Sequence, residues 1–190
     1  MRRKIYIDGQ AGTTALRIRD WLAGRDDLEV MTLPENLRKD PAARKEAIRD
    51  ATIVLLCLPD DAAREAAAWL ADSPVRILDA STAHRVADGW VYGLPELMAG
   101  QREQITKAKR VANPGCYSSA VILLTRPLVD AKLIAHDTPL AIHALSGYSG
   151  GGRALIERWE DPTKKLIHLP HEAPDSIGKL HKHIPAIMRH

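Results

Sequence analysis

The chain has 190 residues, a mass of 20.9 kDa and a formal net charge of +3 at pH 7. That length suits one domain, or one domain with part of a second, and 45% hydrophobic with 27% charged residues excludes disordered and fibrous chains. Its 27 basic and 24 acidic residues are interspersed, and aromatic residues make up only 4%, so an electrostatic nucleic-acid or membrane binder and a base-stacking platform are both excluded.

The N-terminus, MRRKIYIDGQAG, reaches Asp8 before any long apolar region and so does not read as a signal peptide. Residues 4–8 (KIYID) form a compact apolar strand. Gly9-Gln10-Ala11-Gly12 follows, and residues 13–24 place Leu16, Ile18, Trp21 and Leu22 on one side of a helix. A second strand is expected at 28–33. A helix is expected at 41–50, with Pro41 in its first turn. Residues 52–58 (TIVLLCL) are continuously apolar, as in a strand buried on both faces of a parallel sheet. They belong to the longest apolar run, which is too short to span a bilayer. Asp60 or Asp61 is expected to cap a helix over 62–71, and a fourth strand is expected at 75–80. This alternation predicts a Rossmann-like, doubly wound parallel α/β sheet.

Past Ser81 the rhythm loosens. A helix is expected at 101–109, a short strand at 110–112 and a helix at 117–131 kinked or broken at Pro127. A strand at 139–145 then leads to the glycine-dense turn 146–152.

The chemistry-bearing residues fall in a few groups. The loop Gly9-x-x-Gly12-Thr13-Thr14, directly after a strand, suits a dinucleotide pyrophosphate at a helix start, although a plain strand-to-helix turn would read the same way. No acidic residue is placed for a ribose 2′-hydroxyl. Arg38 and Lys39 would suit a 2′-phosphate, or serve only as solvated surface charges. Cys116 opens a helix after Asn113-Pro114-Gly115, where a thiolate is favoured, although cysteine is also a common core filler; Cys57, inside an apolar strand, reads as inert. The turn 146–152 and Arg153 suit a phosphate or carboxylate, or form a flexible loop. His181 and His183 are acid/base candidates for Cys116 or a surface pair. His168 and His171 flank Pro170, which breaks the helix that would align metal ligands, so no metal is expected. Two cysteines without a secretory signal place the chain in the cytoplasm.

Taken together, the motifs at 7–14 (IDGQAGTT), 57–63 (CLPDDAA), 79–85 (DASTAHR), 91–96 (VYGLPE), 112–117 (ANPGCY), 146–152 (SGYSGGG) and 181–185 (HKHIP) resemble those of the shorter, type 2 N-acetyl-gamma-glutamyl-phosphate reductases. The resemblance covers essentially the whole chain. It implies a dinucleotide-binding domain over 1–115 and part of an α+β substrate and dimerisation domain over 116–190, with the family pattern continuing past His190. It also implies NADPH-dependent reduction of an acyl phosphate in arginine biosynthesis, through a thioester on Cys116, with His181 as acid/base.

By the same carry-over, Gly9, Gly12, Thr13, Thr14, Pro59, Ser81 and Arg38 serve NADP(H). Arg85, Asn113, Ser146, Ser149, Gly150 and His183 face the small-molecule substrate. A homo-oligomer is implied if the fold is complete; neither nucleic acid nor membrane is an expected partner. One departure is Ala186, where the family pattern has Glu. Alternatives from other readings are an inactive nucleotide-binding module, an aspartate-semialdehyde dehydrogenase-like enzyme and a cysteine hydrolase indifferent to NADPH.

Overall fold

A computed structural model of the chain describes residues 2–10, 13–169, 178 and 180–190. Six strands form one parallel sheet: β1 (Arg3–Asp8), β2 (Leu28–Met31), β3 (Ile53–Leu56), β4 (Arg76–Asp79), β5 (Val91–Tyr92) and β6 (Arg110–Ala112), in the order β2-β1-β3-β4-β6-β5. The helices are α1 (Thr13–Leu22), α2 (Pro41–Asp50), α3 (Asp60–Ala68), α4 (Gln101–Lys107), α5 (Cys116–Asp130), α6 (Arg153–Glu160) and α7 (Ile184–Arg189), with 3-10 turns at Glu35–Leu37, Tyr148–Gly151 and Leu166–His168.

Strand side chains alternate between faces, and both faces are covered. Tyr6, Val54, Leu56 and Ile77 pack against Ala47 and Ile48 of α2 and Ala63, Ala66 and Ala67 of α3. On the other face, Ile5, Ile7 and Leu55 meet Ala15 of α1. A third cluster joins Tyr92, Leu94 and Leu97 to Ile122 of α5 and Ala186 of α7. Ala186, where the resemblance implies Glu, is 1% exposed within this apolar cluster. A carboxylate there would be desolvated and would need a partner.

The strand–helix alternation and α2 follow the sequence expectation, and Asp40 caps α2 by accepting from the Ala43 N–H at 2.7 Å. Other elements differ. Helix α3 starts earlier than expected: Pro59 is its N-cap, and Asp60 and Asp61 lie in its first turn. Helix α5 runs through Pro127, because a proline in the last turn removes a single hydrogen bond, at the carbonyl of the partly exposed Leu123. Residues 139–145 form no strand. A strand needs a hydrogen-bonding neighbour; none lies beside this segment among the described residues, and Leu140, Ile142 and Leu145 are exposed. The short strand β5, in the stretch past Ser81 where the sequence rhythm loosens, extends the sheet beyond β6.

Candidate active site

The C-terminal ends of the strands lie in one row: Asp8, Leu56, Asp79, Ala112 and Tyr92 are register partners across the sheet. The chain turns one way from β1 to β2 and the other way to β3, so a crevice opens beyond β1 and β3, where open α/β sheets bind ligands. Gly9 adopts φ +90°, and a Cβ there would sit 2.2 Å from the Cys57 carbonyl oxygen. Only glycine lets the chain turn this closely against β3, which is the close backbone approach a pyrophosphate cradle requires. The described backbone therefore fits a dinucleotide. Thr13 and Thr14 open α1 at this crevice, while Gly12 and His171 lie outside the described residues. Pro59 caps α3 on the adjacent connection. Arg38 ends the 3-10 turn after β2 and pairs with Glu35.

Buried carboxylates organise this edge. Asp8 is 1% exposed and takes Arg44 Nη2 at 2.9 Å and Nε at 3.1 Å. Asp79 is fully buried; its Oδ2 accepts from Ser81 Oγ at 2.7 Å and meets His84 Nδ1 at 2.6 Å, while its Oδ1 accepts from the Ser81 N–H at 2.9 Å. The His84 ring stacks on Trp90 at 3.9 Å. Thr82 donates its N–H to Asp60 at 2.9 Å, and its hydroxyl bonds the same carboxylate. The DASTAHR loop is thereby fixed at both ends, and Arg85 emerges from it.

Cys116 is exposed and is the first residue of α5, where first-turn N–H groups have no intrahelical acceptor. Cys57 is the opposite case: burial pushes its thiol up to about 11, which keeps it protonated and inert. Gly115, the N-cap of α5, is enclosed by the site. A Cβ there would meet His183 Nε2 at 2.3 Å and Arg85 Nη1 at 2.6 Å. Both side chains are buried, at 4% and 8% exposure. Arg85 Nε donates to the Asn113 carbonyl at 3.0 Å, and among the described residues neither its buried Nη1 nor His183 Nδ1 has a hydrogen-bond partner. Burial lowers the Arg85 guanidinium from its ordinary value, against the opposing pull of neighbours that include Asp79 and Cys116.

Burial first, and the Arg85 charge second, push His183 down from 6.5 to about 4. The folded chain therefore binds fewer protons than the unfolded chain between those values, so His183 costs stability as pH falls from 6.5 towards 4 and costs nothing above that window. Melting temperature against pH should fall across this window, and His183→Asn should flatten the slope. An unchanged slope in the variant would contradict a buried neutral imidazole.

The structure thus brings Arg85, Asn113, Gly115, Cys116 and His183 together. His181 stands next to them: its Nδ1 accepts the His183 N–H at 3.2 Å, and its ring lies edge-on to His183 and Tyr117 at 4.8 and 5.5 Å. The turn carrying Ser146, Ser149 and Gly150 is instead exposed and packs on α6, with Tyr148 stacked on Trp159. Sequence reasoning missed Asp79 and Arg44. An acidic residue closing an otherwise apolar strand was the available signal for Asp79; nothing local marked Arg44. Among the described residues, no group of three or more His, Cys, Asp or Glu side chains could hold a metal, and no helix is long and apolar enough to cross a membrane.

Two family models match the chain: the NAD binding domain of semialdehyde dehydrogenase over residues 22–108, and the semialdehyde dehydrogenase dimerisation domain over residues 116–190. The two semialdehyde dehydrogenase domain models thus fall in chain order along the sequence. The curated relatives it resembles carry one particular name. The chain is 54% identical over 186 residues to N-acetyl-gamma-glutamyl-phosphate reductase 2 of Pseudomonas putida and 49% identical over 187 residues to the N-acetyl-gamma-glutamyl-phosphate reductase of Chelativorans sp., in each case covering 98% of this chain and 59% of the relative. The reductase of Brucella ovis is 47% identical over 191 residues, which cover 62% of it. The chain thus spans about three fifths of the length of these relatives.

Among solved structures, aspartate semialdehyde dehydrogenase II of Vibrio cholerae in complex with ASA aligns with TM-score 0.60 at 17% identity, over 92% of this chain and 55% of that one. Aspartate semialdehyde dehydrogenase of Francisella tularensis aligns with TM-score 0.60 at 15% identity, over 92% and 53%. These likenesses establish the shared fold.

Proposed function

We propose that this chain carries the nucleophile and cofactor site of an NADP(H)-dependent reductase that converts N-acetyl-gamma-glutamyl phosphate to N-acetyl-glutamate semialdehyde and phosphate, in the arginine pathway of the cytoplasm. The observation that carries the reading is the exposed Cys116 at the start of α5, with buried Arg85 and His183 closed on the Gly115 that precedes it. Residues 1–115 are the cofactor domain in this reading, and residues 116–190 belong to the substrate and dimerisation domain, whose family match supports a homo-oligomer.

Cys116 Sγ, as thiolate, attacks the acyl carbon. The new C–S bond forms, the C–O bond to phosphate breaks, and phosphate leaves with the electron pair, giving a thioester. The free first-turn N–H groups and the unpartnered Nη1 of Arg85 are suited to negative oxygen as it develops. His183, held neutral by burial and the Arg85 charge, is a weak proton acceptor, so in this reading His181, which adjoins it on the Tyr117 side, takes the thiol proton. Gly9, Gly12, Thr13, Thr14, Pro59 and Ser81 are the residues that would hold the dinucleotide, with Arg38 available to a 2′-phosphate on release from Glu35. When bound, NADPH supplies the hydride that reduces the acyl group. Ser146, Ser149 and Gly150 complete the substrate site in this reading if their turn closes over Cys116.

The direct assay follows NADP⁺ reduction by N-acetyl-glutamate semialdehyde. Reduction that requires both the semialdehyde and phosphate is the expected result. NADPH binding without turnover would overturn the reductase reading for this chain and leave a nucleotide-binding module.

A further inference from the structure

The carbonyl of Gly115, the group immediately before the nucleophile, receives more hydrogen bonds than a helix start requires. An N-cap carbonyl needs only the N–H four residues on, and Ser119 provides that at 2.9 Å. Two hydroxyls are added: Ser118 Oγ donates to the same oxygen at 3.0 Å and Ser119 Oγ at 2.9 Å. Ser118 Oγ in turn accepts from the Tyr92 hydroxyl at 3.1 Å.

Tyr92 and Ser118 are buried, at 3% and 0% exposure, so this chain of hydroxyls runs out of contact with water. Tyr92 is itself fixed on strand β5. Its carbonyl accepts from Gln101 Nε2 at 2.5 Å, and its ring stacks on His190 at 4.0 Å. On the opposite side, Gly115 is closed by Arg85 and His183.

We propose that Tyr92 and Ser118 are positioning residues for Cys116, anchoring the Gly115–Cys116 peptide unit to the edge of the sheet through the relay Tyr92 hydroxyl to Ser118 hydroxyl to Gly115 carbonyl. The peptide is planar, so fixing its carbonyl also fixes the Cys116 N–H and the Cα from which the Cys116 side chain leaves the helix. The inference rests on Cys116 being the nucleophile, and its test also reads Cys116 without turnover.

The test compares wild type, Tyr92→Phe, Ser118→Ala and the double variant. Three quantities are read: the rate of Cys116 alkylation by iodoacetamide against pH, kcat and KM, and melting temperature. Tyr92→Phe keeps the ring and removes only the donor, so it retains the fold. Its alkylation rate and kcat are expected to fall about five- to tenfold with KM within about twofold, because misplacing a nucleophile affects the reacting geometry more than substrate binding. Ser118→Ala is expected to fall further, and the double variant to match Ser118→Ala, since Tyr92 acts through Ser118. A lowered melting temperature with wild-type alkylation kinetics in Tyr92→Phe would overturn the proposal, as would additive losses in the double variant. If wild type shows no turnover, the reductase reading fails, while the alkylation series still decides this one.

Discussion

Replacing Gly115 by alanine should reduce turnover by about a hundredfold or more while leaving the sheet folded. The backbone raises no objection, because φ −83° and ψ 154° suit any residue. The obstacle is space. The added methyl would lie 2.3 Å from His183 Nε2, 2.6 Å from His183 Cδ2 and 2.6 Å from Arg85 Nη1. Arg85 has little freedom to give way, because its Nε is bonded to the Asn113 carbonyl and its own carbonyl contacts His190 Nε2 at 2.9 Å. The imidazole and the guanidinium must therefore move away from Cys116. Overpacking of this kind costs about 1–3 kcal/mol in stability. Steady-state kinetics alongside a melting curve check this. A variant with wild-type kcat would show that the enclosure of Gly115 has no part in the chemistry.

The largest effect on stability is expected from Arg44→Met. Asp8 and Arg44 form a buried ion pair, with Nη2 to Oδ2 at 2.9 Å and Nε to Oδ1 at 3.1 Å. The guanidinium also lies 4.9 Å from the centre of the Trp69 ring. The Tyr6 hydroxyl is 3.5 Å from Asp8 and is held neutral by burial and the Asp8 charge; a phenol has no cationic form, so it cannot replace the positive charge of Arg44. Methionine fills part of the volume but leaves the carboxylate alone in the core, a change that costs about 3–5 kcal/mol. Asp8→Asn combined with Arg44→Met should recover much of that loss, since it removes the stranded charge. Because Asp8 directly precedes Gly9, the single variant should also weaken dinucleotide binding. Urea unfolding of wild type and the two variants measures the first effect, and NADPH titration the second. A loss below about 1 kcal/mol in Arg44→Met would mean that the pair behaves like an exposed one.

Which parts were legible in the sequence follows from the range of the forces involved. The IVLL strand, the Pro41 helix start and the glycine turn after β1 each announce themselves within a few residues, by apolar run, fixed φ or missing side chain. Cys116 was legible as a helix-start thiol for the same reason, and the family motifs then gave it a role. Contacts between distant residues left no local trace. Arg44 reads as one more basic residue on a polar helix until β1 brings Asp8 to it, 36 positions away. By residue type alone His181 and His183 are equal candidates, and the resemblance gives the acid/base role to His181 and the substrate to His183. Only the fold shows that His183 is enclosed against Gly115 and His181 lies beside it. The segment 139–145 shows the converse: its residues have strand character, but pairing depends on a neighbour that its own composition does not specify. Asp60 looked like a helix cap and is used instead to hold Thr82, because the loop after β4 passes the start of α3.

The central claim is that Cys116 carries the acyl group. Its most direct test is the intact mass of the chain after incubation with N-acetyl-gamma-glutamyl phosphate and no reductant. One N-acetylglutamyl group per chain is predicted, released by hydroxylamine as a thioester should be, mapped to the peptide containing Cys116 and absent from Cys116→Ala. An acyl group found elsewhere, or retained in Cys116→Ala, would contradict the account, as would a chain that releases phosphate with no mass increase.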